Sequence, residues 1–335
     1  MIIRSRAPYR IEFGGGGTDM PPYVNNYGGC AVNATINKYS YATLIPSKDG
    51  LKINAEHKKT FLFRDFSSVK YDGDLDLIKA VIKQMKPDIN LEIFLRNDMA
   101  PNSGLGTGAS SAIATIGLTN FFADKNLNKY EIAELSYKIL SEELGLIGGK
   151  QNHYATSFGG LNFIEFNSKG ITRVSPLNLK KEAVMELQKH LLLVYVGRRT
   201  DSNITLGKQA EKSVNKTEIL DKLKATALDM RYALEKGDFG HFGNLLNIAW
   251  QTKKELNPNI TSHYIDRIYN IAMKNGALGG RIMGAGGGGH MLFYCEPNKE
   301  HLVAKKLQEN GANITDFSFD MEGLQVWTLG GKNER

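Results

Sequence analysis

The 335-residue chain has only two cysteines, Cys30 and Cys295, far apart and each in apolar company. That predicts two buried thiols in a reducing compartment and argues against a disulfide. No apolar stretch approaches the ~20 residues needed to span a bilayer. The opening "MIIRSRAPYRIEF" is interrupted by Arg4, Arg6 and Arg10, which does not build the apolar region of a signal peptide. A cytoplasmic location and no membrane partner are expected. Also missing are the G-x-x-x-x-G-K-[ST] of a Walker-type loop, an H-E-x-x-H or Cys/His ligand spacing, and a G-x-S-x-G elbow. No tract of like charge occurs either. Lys and Arg exceed Asp and Glu by 42 to 35, giving +7, but they are spread along the chain. This weakens a nucleic-acid reading and suits anionic small molecules such as phosphates.

What is present is ordinary globular composition, 41% hydrophobic and 23% charged, on a chain long enough for two lobes sharing a cleft. Apolar alternation at 2–13, 30–46, 51–54 and 60–64 predicts strands, followed by a helix at 74–85, a strand at 89–97, and helices at 107–124 and 128–144. Strands are expected at 159–166, 170–177 and 190–197, then a helical region from 201 to 256 that Pro258 breaks. The remainder reads as helix 261–275, strand 278–283, a glycine loop, strand 289–295, helix 298–309, and strands 313–319 and 324–329. This β-α-β-β-α-β alternation predicts a ferredoxin-like lobe. The fold class is therefore α+β, with a β-rich N-terminal domain at 1–180 and a C-terminal domain at 181–335.

Three glycine clusters carry the chemistry. "APNSGLGTGASSA" (100–112) follows a strand and opens a helix, so its amides can converge on an anion at a helix N-terminus. Thr107, Ser110 and Ser111 can add hydroxyls to phosphate or Mg²⁺. The same residues fit a loose dinucleotide fingerprint or a plain capped turn, and those alternatives remain open at this point. "FGGGGTDMPPY" (13–23) and "GGRIMGAGGGGHMLFYC" (279–295) each contain four consecutive glycines, as expected where a backbone must approach a ligand or another backbone closely.

Together, in this order, the clusters resemble the GHMP kinases, over nearly the whole chain. Within that family the likeness is to the sugar kinases acting on D-glycero-D-manno-heptose 7-phosphate, through Arg10-Ile11-Glu12-Phe13-Gly14-Gly15-Gly16-Gly17-Thr18-Asp19-Met20-Pro21-Pro22-Tyr23 and Gly149-Lys150-Gln151-Asn152-His153-Tyr154. The resemblance implies two lobes and transfer of the ATP γ-phosphoryl group, with Mg²⁺, to the anomeric hydroxyl of a sugar phosphate for surface-glycan precursor synthesis. Fucokinase-like or galactokinase-like activity is the neighbouring reading. The implied nucleotide site comprises Gly104, Leu105, Gly106, Thr107, Gly108, Ser110 and Ser111, with Ser110 or Ser111 and Glu142 toward the metal. The implied substrate site comprises Gly16, Gly17, Thr18, Asp19, Gly286 and Gly287, with Arg198 or Arg199 toward the substrate's own phosphate. Arg10 corresponds to the arginine beside the transferring phosphate.

One departure stands out. The family's "G-K-Q-D" aspartate, the base for the attacking hydroxyl, is Asn152 here, and an amide cannot accept that proton. Three explanations follow: a silent sugar-phosphate or nucleotide-binding protein, a kinase that works by positioning and charge, or a base shifted to His153. The last is the weakest, because adjacent helical residues point about 100° apart.

Overall fold

The structure is a computed structural model that describes residues 2–55, 61–63, 65–87, 90–198 and 214–330. Strand β1 (Ile2–Gly14) connects through helix α1 (Tyr23–Tyr27) to β2 (Gly29–Pro46), which returns antiparallel to it. After β3 (Leu51–Ala55), β4 (Phe61–Phe63) and helix α2 (Asp76–Met85), β5 (Leu91–Asn97) pairs antiparallel with the second half of β2 and parallel with β3. Helices α3 (Thr107–Phe122), α4 (Lys129–Lys138) and α5 (Gln151–Phe158) follow. Then β6 (Leu161–Phe166) pairs with the first half of β2, and β7 (Thr172–Pro176) with β6. The local signals are plain. Ile78, Val81, Ile82 and Met85 give α2 one buried face, and Asn128 with Glu131 forms a capping box on α4.

The second lobe begins with helix α6 (Lys181–Lys189) and β8 (Leu191–Tyr195), then α7 (Val214–Lys236) and α8 (Phe239–Leu256), which break at Gly237 where Asp238 caps the His241 N–H. After α9 (His263–Lys274) come β9 (Ala277–Ile282), β10 (His290–Cys295), α10 (Glu300–Glu309) and β11 (Asn313–Thr315). The sheet order β11-β8-β10-β9, all antiparallel, is that of a split βαβ lobe. The α+β, two-lobed architecture agrees with the sequence expectation.

Three large cores, with two smaller clusters around Tyr154 and Leu223, hold this arrangement among the described residues. Ile3, Leu44, Ile53, Ile93, Ile113 and Ile116 fill the first lobe, and Val194, Trp250, Ile268, Ile282 and Phe293 the second. A third core is shared: Tyr9, Ile11 and Phe13 of β1 and Val32 of β2 pack with Met230, Phe242, Leu245 and Leu292. The Phe13 and Phe242 rings meet edge to face with centroids 5.2 Å apart. This shared core explains why β1 is buried continuously from Ala7 onward. The strand is flanked by α3 and α5 from the first lobe and by α7 and α8 from the second.

The chain end departs from expectation. The last strand, β12 (Gln325–Leu329), pairs with the free edge of β1, from Ile2 opposite Leu329 to Arg6 opposite Gln325, and so belongs to the first lobe's eight-stranded sheet. Leu324 packs over Gly117 of α3 at its start. A period-two pattern identifies a strand but not the edge it joins. The strand expected at 313–319 is only Asn313–Thr315; beyond it Phe319 makes an isolated bridge to Ile36. The helix expected at 128–144 ends at Lys138 and continues as a π turn, Ile139–Glu143.

Candidate active site

Gly104 and Gly106 adopt φ of +85° and +81°, left-handed values that side chains resist. They turn β5's exit into α3 so tightly that a Cβ on Gly104 would lie 2.9 Å from the Met283 carbonyl. Helix α3 then starts with no side-chain cap, and Thr107, Gly108 and Ala109 of its first turn line a cleft of about 290 Å³ between the lobes. Uncapped amides at the N-terminus of a 16-residue helix attract anions. The loop is fastened from below: the Arg10 N–H donates to the Leu105 carbonyl at 3.0 Å and its guanidinium to the Gly104 carbonyl at 2.7 Å. Arg10 is 3% exposed. Its Nε donates to Asn152 Oδ1 at 2.8 Å, so one guanidinium ties the glycine loop to α5.

Asp19 stands across the cleft from this loop. It accepts the Gly17 N–H at 3.1 Å and the Gln151 N–H at 3.0 Å. Burial pushes its carboxyl above the ordinary range; the Gln151 N–H opposes the rise and the Glu12 charge adds to it. A Cβ on Gly149 would overlap the Asp19 carboxylate, so the absence of a side chain there lets the two loops close. The 149–152 segment is braced by Lys150, which donates to both Glu134 oxygens at 2.9 Å, and Tyr154 donates to the same carboxylate. His153 reaches the cleft wall, but its Nδ1 pairs with Ser136 Oγ at 2.8 Å. Burial, then the Lys150 charge, pushes its imidazole down to about 3, so it is neutral.

A buried charge cluster lies behind Asp19. Arg281 of β9, 0% exposed, meets Glu12 of β1, 2% exposed, at 2.5 Å and donates to the Phe13 carbonyl at 2.8 Å. The Gly16 N–H donates to the same Glu12 oxygen at 3.1 Å. Lys253 of α8 lines the cleft and donates to the Gly284 carbonyl at 2.9 Å, with its ammonium 4.0 Å from Glu12. Burial alone would push the Glu12 carboxyl up, but Arg281, then Lys253 and Arg10, hold it down at about 2. Sequence reasoning missed Glu12, Arg281 and Lys253 as site residues. The signal was available: Glu12 and Arg281 are lone charges flanked by apolar or glycine strand residues. Lys253 falls in register with Leu246, Ala249 and Trp250 on the buried face of α8.

Several expected site residues are placed elsewhere. Ser110 is fully buried and its hydroxyl donates to the Ala7 carbonyl at 2.7 Å, so it faces β1. Ser111 donates to Asn97 Oδ1 and meets Ser40 Oγ, and it borders a separate hollow of about 120 Å³ instead of the cleft. Leu105 offers only its backbone, because its side chain is core. Thr18 is buried, donating to the Gly15 carbonyl and accepting the Cys30 N–H. Glu142 is exposed on the π turn, beside Leu140 and Ser141, which do line the cleft. Gly286 and Gly287 pack against Ile260, leaving Gly284 and Ala285 as the loop's contribution to the cleft. Arg199 lies outside the described residues. Among the described residues no group of three His, Cys, Asp or Glu could hold a metal, and no helix is long and apolar enough to cross a membrane.

Residues 76–160 match the GHMP kinases N terminal domain and residues 230–313 the GHMP kinases C terminal. The chain is 33% identical to D-glycero-alpha-D-manno-heptose 7-phosphate kinase of Campylobacter jejuni, over 98% of this chain and 99% of that protein. Its fold superposes on the crystal structure of a D-glycero-D-manno-heptose 1-phosphate kinase from Bacteroides thetaiotaomicron with a TM-score of 0.83 and 31% identity, covering 98% of this chain and 100% of the other. Galactokinase of Lactococcus lactis shares the fold, with a TM-score of 0.79 at 18% identity over 98% and 95% of the two chains. The chain belongs to the GHMP kinase family.

Proposed function

We propose that this protein is a cytoplasmic kinase that uses ATP and Mg²⁺ to phosphorylate the anomeric hydroxyl of a sugar phosphate. D-glycero-D-manno-heptose 7-phosphate is the first candidate acceptor, and its product, the 1,7-bisphosphate, would feed surface-glycan precursor synthesis. The observation that carries this reading is Arg10, whose guanidinium donates at once to the Gly104 carbonyl and to Asn152 Oδ1. It joins the loop suited to the donor phosphates to the loop suited to the acceptor, where charge develops during transfer.

In this reading Gly104, Gly106 and the first turn of α3 receive the ATP phosphates. Mg²⁺, when bound with the nucleotide, offsets charge on those phosphates. Such an ion needs only one or two protein oxygens, and Thr107 is the hydroxyl of the 107–111 segment that lines the cleft. Ser110 is committed to Ala7. Asp19, already holding two amide donors, accepts sugar hydroxyls beside the Gly16 and Gly17 backbone. The acceptor oxygen then bonds to phosphorus as the bond to ADP breaks.

Asn152 cannot take the acceptor's proton, and His153, with Nδ1 paired to Ser136 and its imidazole pushed down to about 3, is a poor base. The proton therefore leaves to water or to the transferred phosphoryl group. Phosphoryl transfer tolerates this because its loose transition state depends mostly on positioning and charge. The missing base costs ~10²–10⁴-fold in rate, roughly 3–5 kcal/mol. A coupled ADP assay over a panel of sugars and sugar phosphates tests the proposal. Sugar-dependent ADP formation, best with the heptose 7-phosphate, is expected. Ligand binding with no turnover on any sugar would identify a catalytically silent binding protein.

A further inference from the structure

Lys253 has no role in the reaction as described, yet its placement is costly. A lysine is almost never fully buried unless paired, and this one is 3% exposed at the cleft wall. Among the described residues its one hydrogen bond goes to the Gly284 carbonyl. Its nearest carboxylate, Glu12 at 4.0 Å, is already neutralised by Arg281 at 2.5 Å and also accepts the Gly16 N–H. Around the ammonium stand Glu12 and Arg10 from β1, Arg281 from β9 and Asp19 from the glycine loop. Two arginines and two carboxylates thus act on an ammonium at the cleft wall.

The ammonium lies beside the acceptor loop: the Glu12 oxygen near Lys253 is the one holding Gly16, next to Gly17 and Asp19. Taking the kinase reading above as the basis, we infer that Lys253 binds the acceptor's own phosphate, and so selects phosphorylated sugars over their free counterparts. Its ammonium has two N–H groups left for phosphate oxygens after Gly284 is served. The electrostatics agree. Burial, with Arg281 and Arg10 adding to it against Glu12 and Asp19, pushes the ammonium down to about 8, so the site holds its full charge only below that pH and gains from an incoming anion.

The test compares binding of phosphorylated and free members of several sugar pairs, heptose 7-phosphate with heptose and mannose 6-phosphate with mannose, by calorimetry on wild type, Lys253→Met and Lys253→Arg. Wild type should prefer the phosphorylated member, most strongly below pH 8. Lys253→Met should lose about 10- to 100-fold for that member alone, the range of one hydrogen bond to a charged group, with ATP and free-sugar affinity within about twofold and the melting transition intact. Its residual binding should no longer fall as pH rises through 8, and Lys253→Arg should recover part of the loss. A wild type that prefers phosphorylated sugars while Lys253→Met keeps the preference would overturn the inference and leave the sugar-phosphate kinase standing. Equal binding of both members by wild type would overturn both. A loss confined to ATP would place Lys253 on the donor instead.

Discussion

Two buried arginines, both reaching into the wall between the lobes, have been given opposite partners. Arg281 meets a carboxylate, Glu12, at 2.5 Å and a strand carbonyl at 2.8 Å. Arg10 meets an amide, Asn152, at 2.8 Å and a loop carbonyl at 2.7 Å. The first guanidinium is paired where it stands, away from the cleft lining, and joins β1 to β9. The second lines the cleft and ties the glycine loop to α5. The pair separates an arginine that joins two strands from one that lines the cleft, although both are almost completely buried.

Removing Arg10 should have the largest effect. Arg10→Met should lower kcat by ~10³–10⁵-fold, the range for an arginine at a transferring phosphoryl group, and weaken ATP binding through loss of the Gly104 anchor. A single-turnover assay on the folded variant measures it. Glu12→Gln should leave Arg281 buried and unpaired and destabilise the fold by ~3–5 kcal/mol, whereas Glu12→Gln with Arg281→Met should recover much of that in denaturant melts. Because the folded-state Glu12 pKa lies at about 2 against an ordinary 4.5, its stabilisation is complete above pH ~5 and lost as pH falls from 4.5 toward 2; Glu12→Gln should flatten that stretch of the stability profile. Asp19→Ala should act more narrowly, lowering sugar affinity by ~10–100-fold and ATP affinity little. Unchanged sugar binding by calorimetry would reduce Asp19 to a brace for Gly17 and Gln151.

The contrast between these regions also shows what a sequence makes legible. Elements with a strong period are readable: the one-sided apolar face of α2, the long strands β1 and β2, and the capped start of α4 at Asn128. The glycine loop at 104–106 is readable because only bare backbone makes that turn. Direction is harder. Thr107, Ser110 and Ser111 share one face of α3 at helical spacing, but only the first turn reaches the cleft, since by Ser110 the helix already lies against the Ala7 carbonyl of β1. The destination of β12 depended on an edge that β1 left open more than three hundred residues earlier, where Arg6 pairs with Gln325. Glu12, Arg281 and Lys253 were illegible as a cluster for the same reason: each is an isolated charge in sequence, and only the packing of α8 and β9 against β1 brings them together.

The central claim is that Asn152 occupies the position of the proton acceptor and withholds only that acceptance, leaving the cleft assembled by Arg10. Asn152→Asp measures it most directly, because the two side chains are nearly the same size. The account predicts that kcat for sugar-dependent ADP formation rises by ~10²–10⁴-fold while Kd for sugar and nucleotide hardly moves. A kcat that stays flat, or falls because the new carboxylate neutralises Arg10, would contradict it.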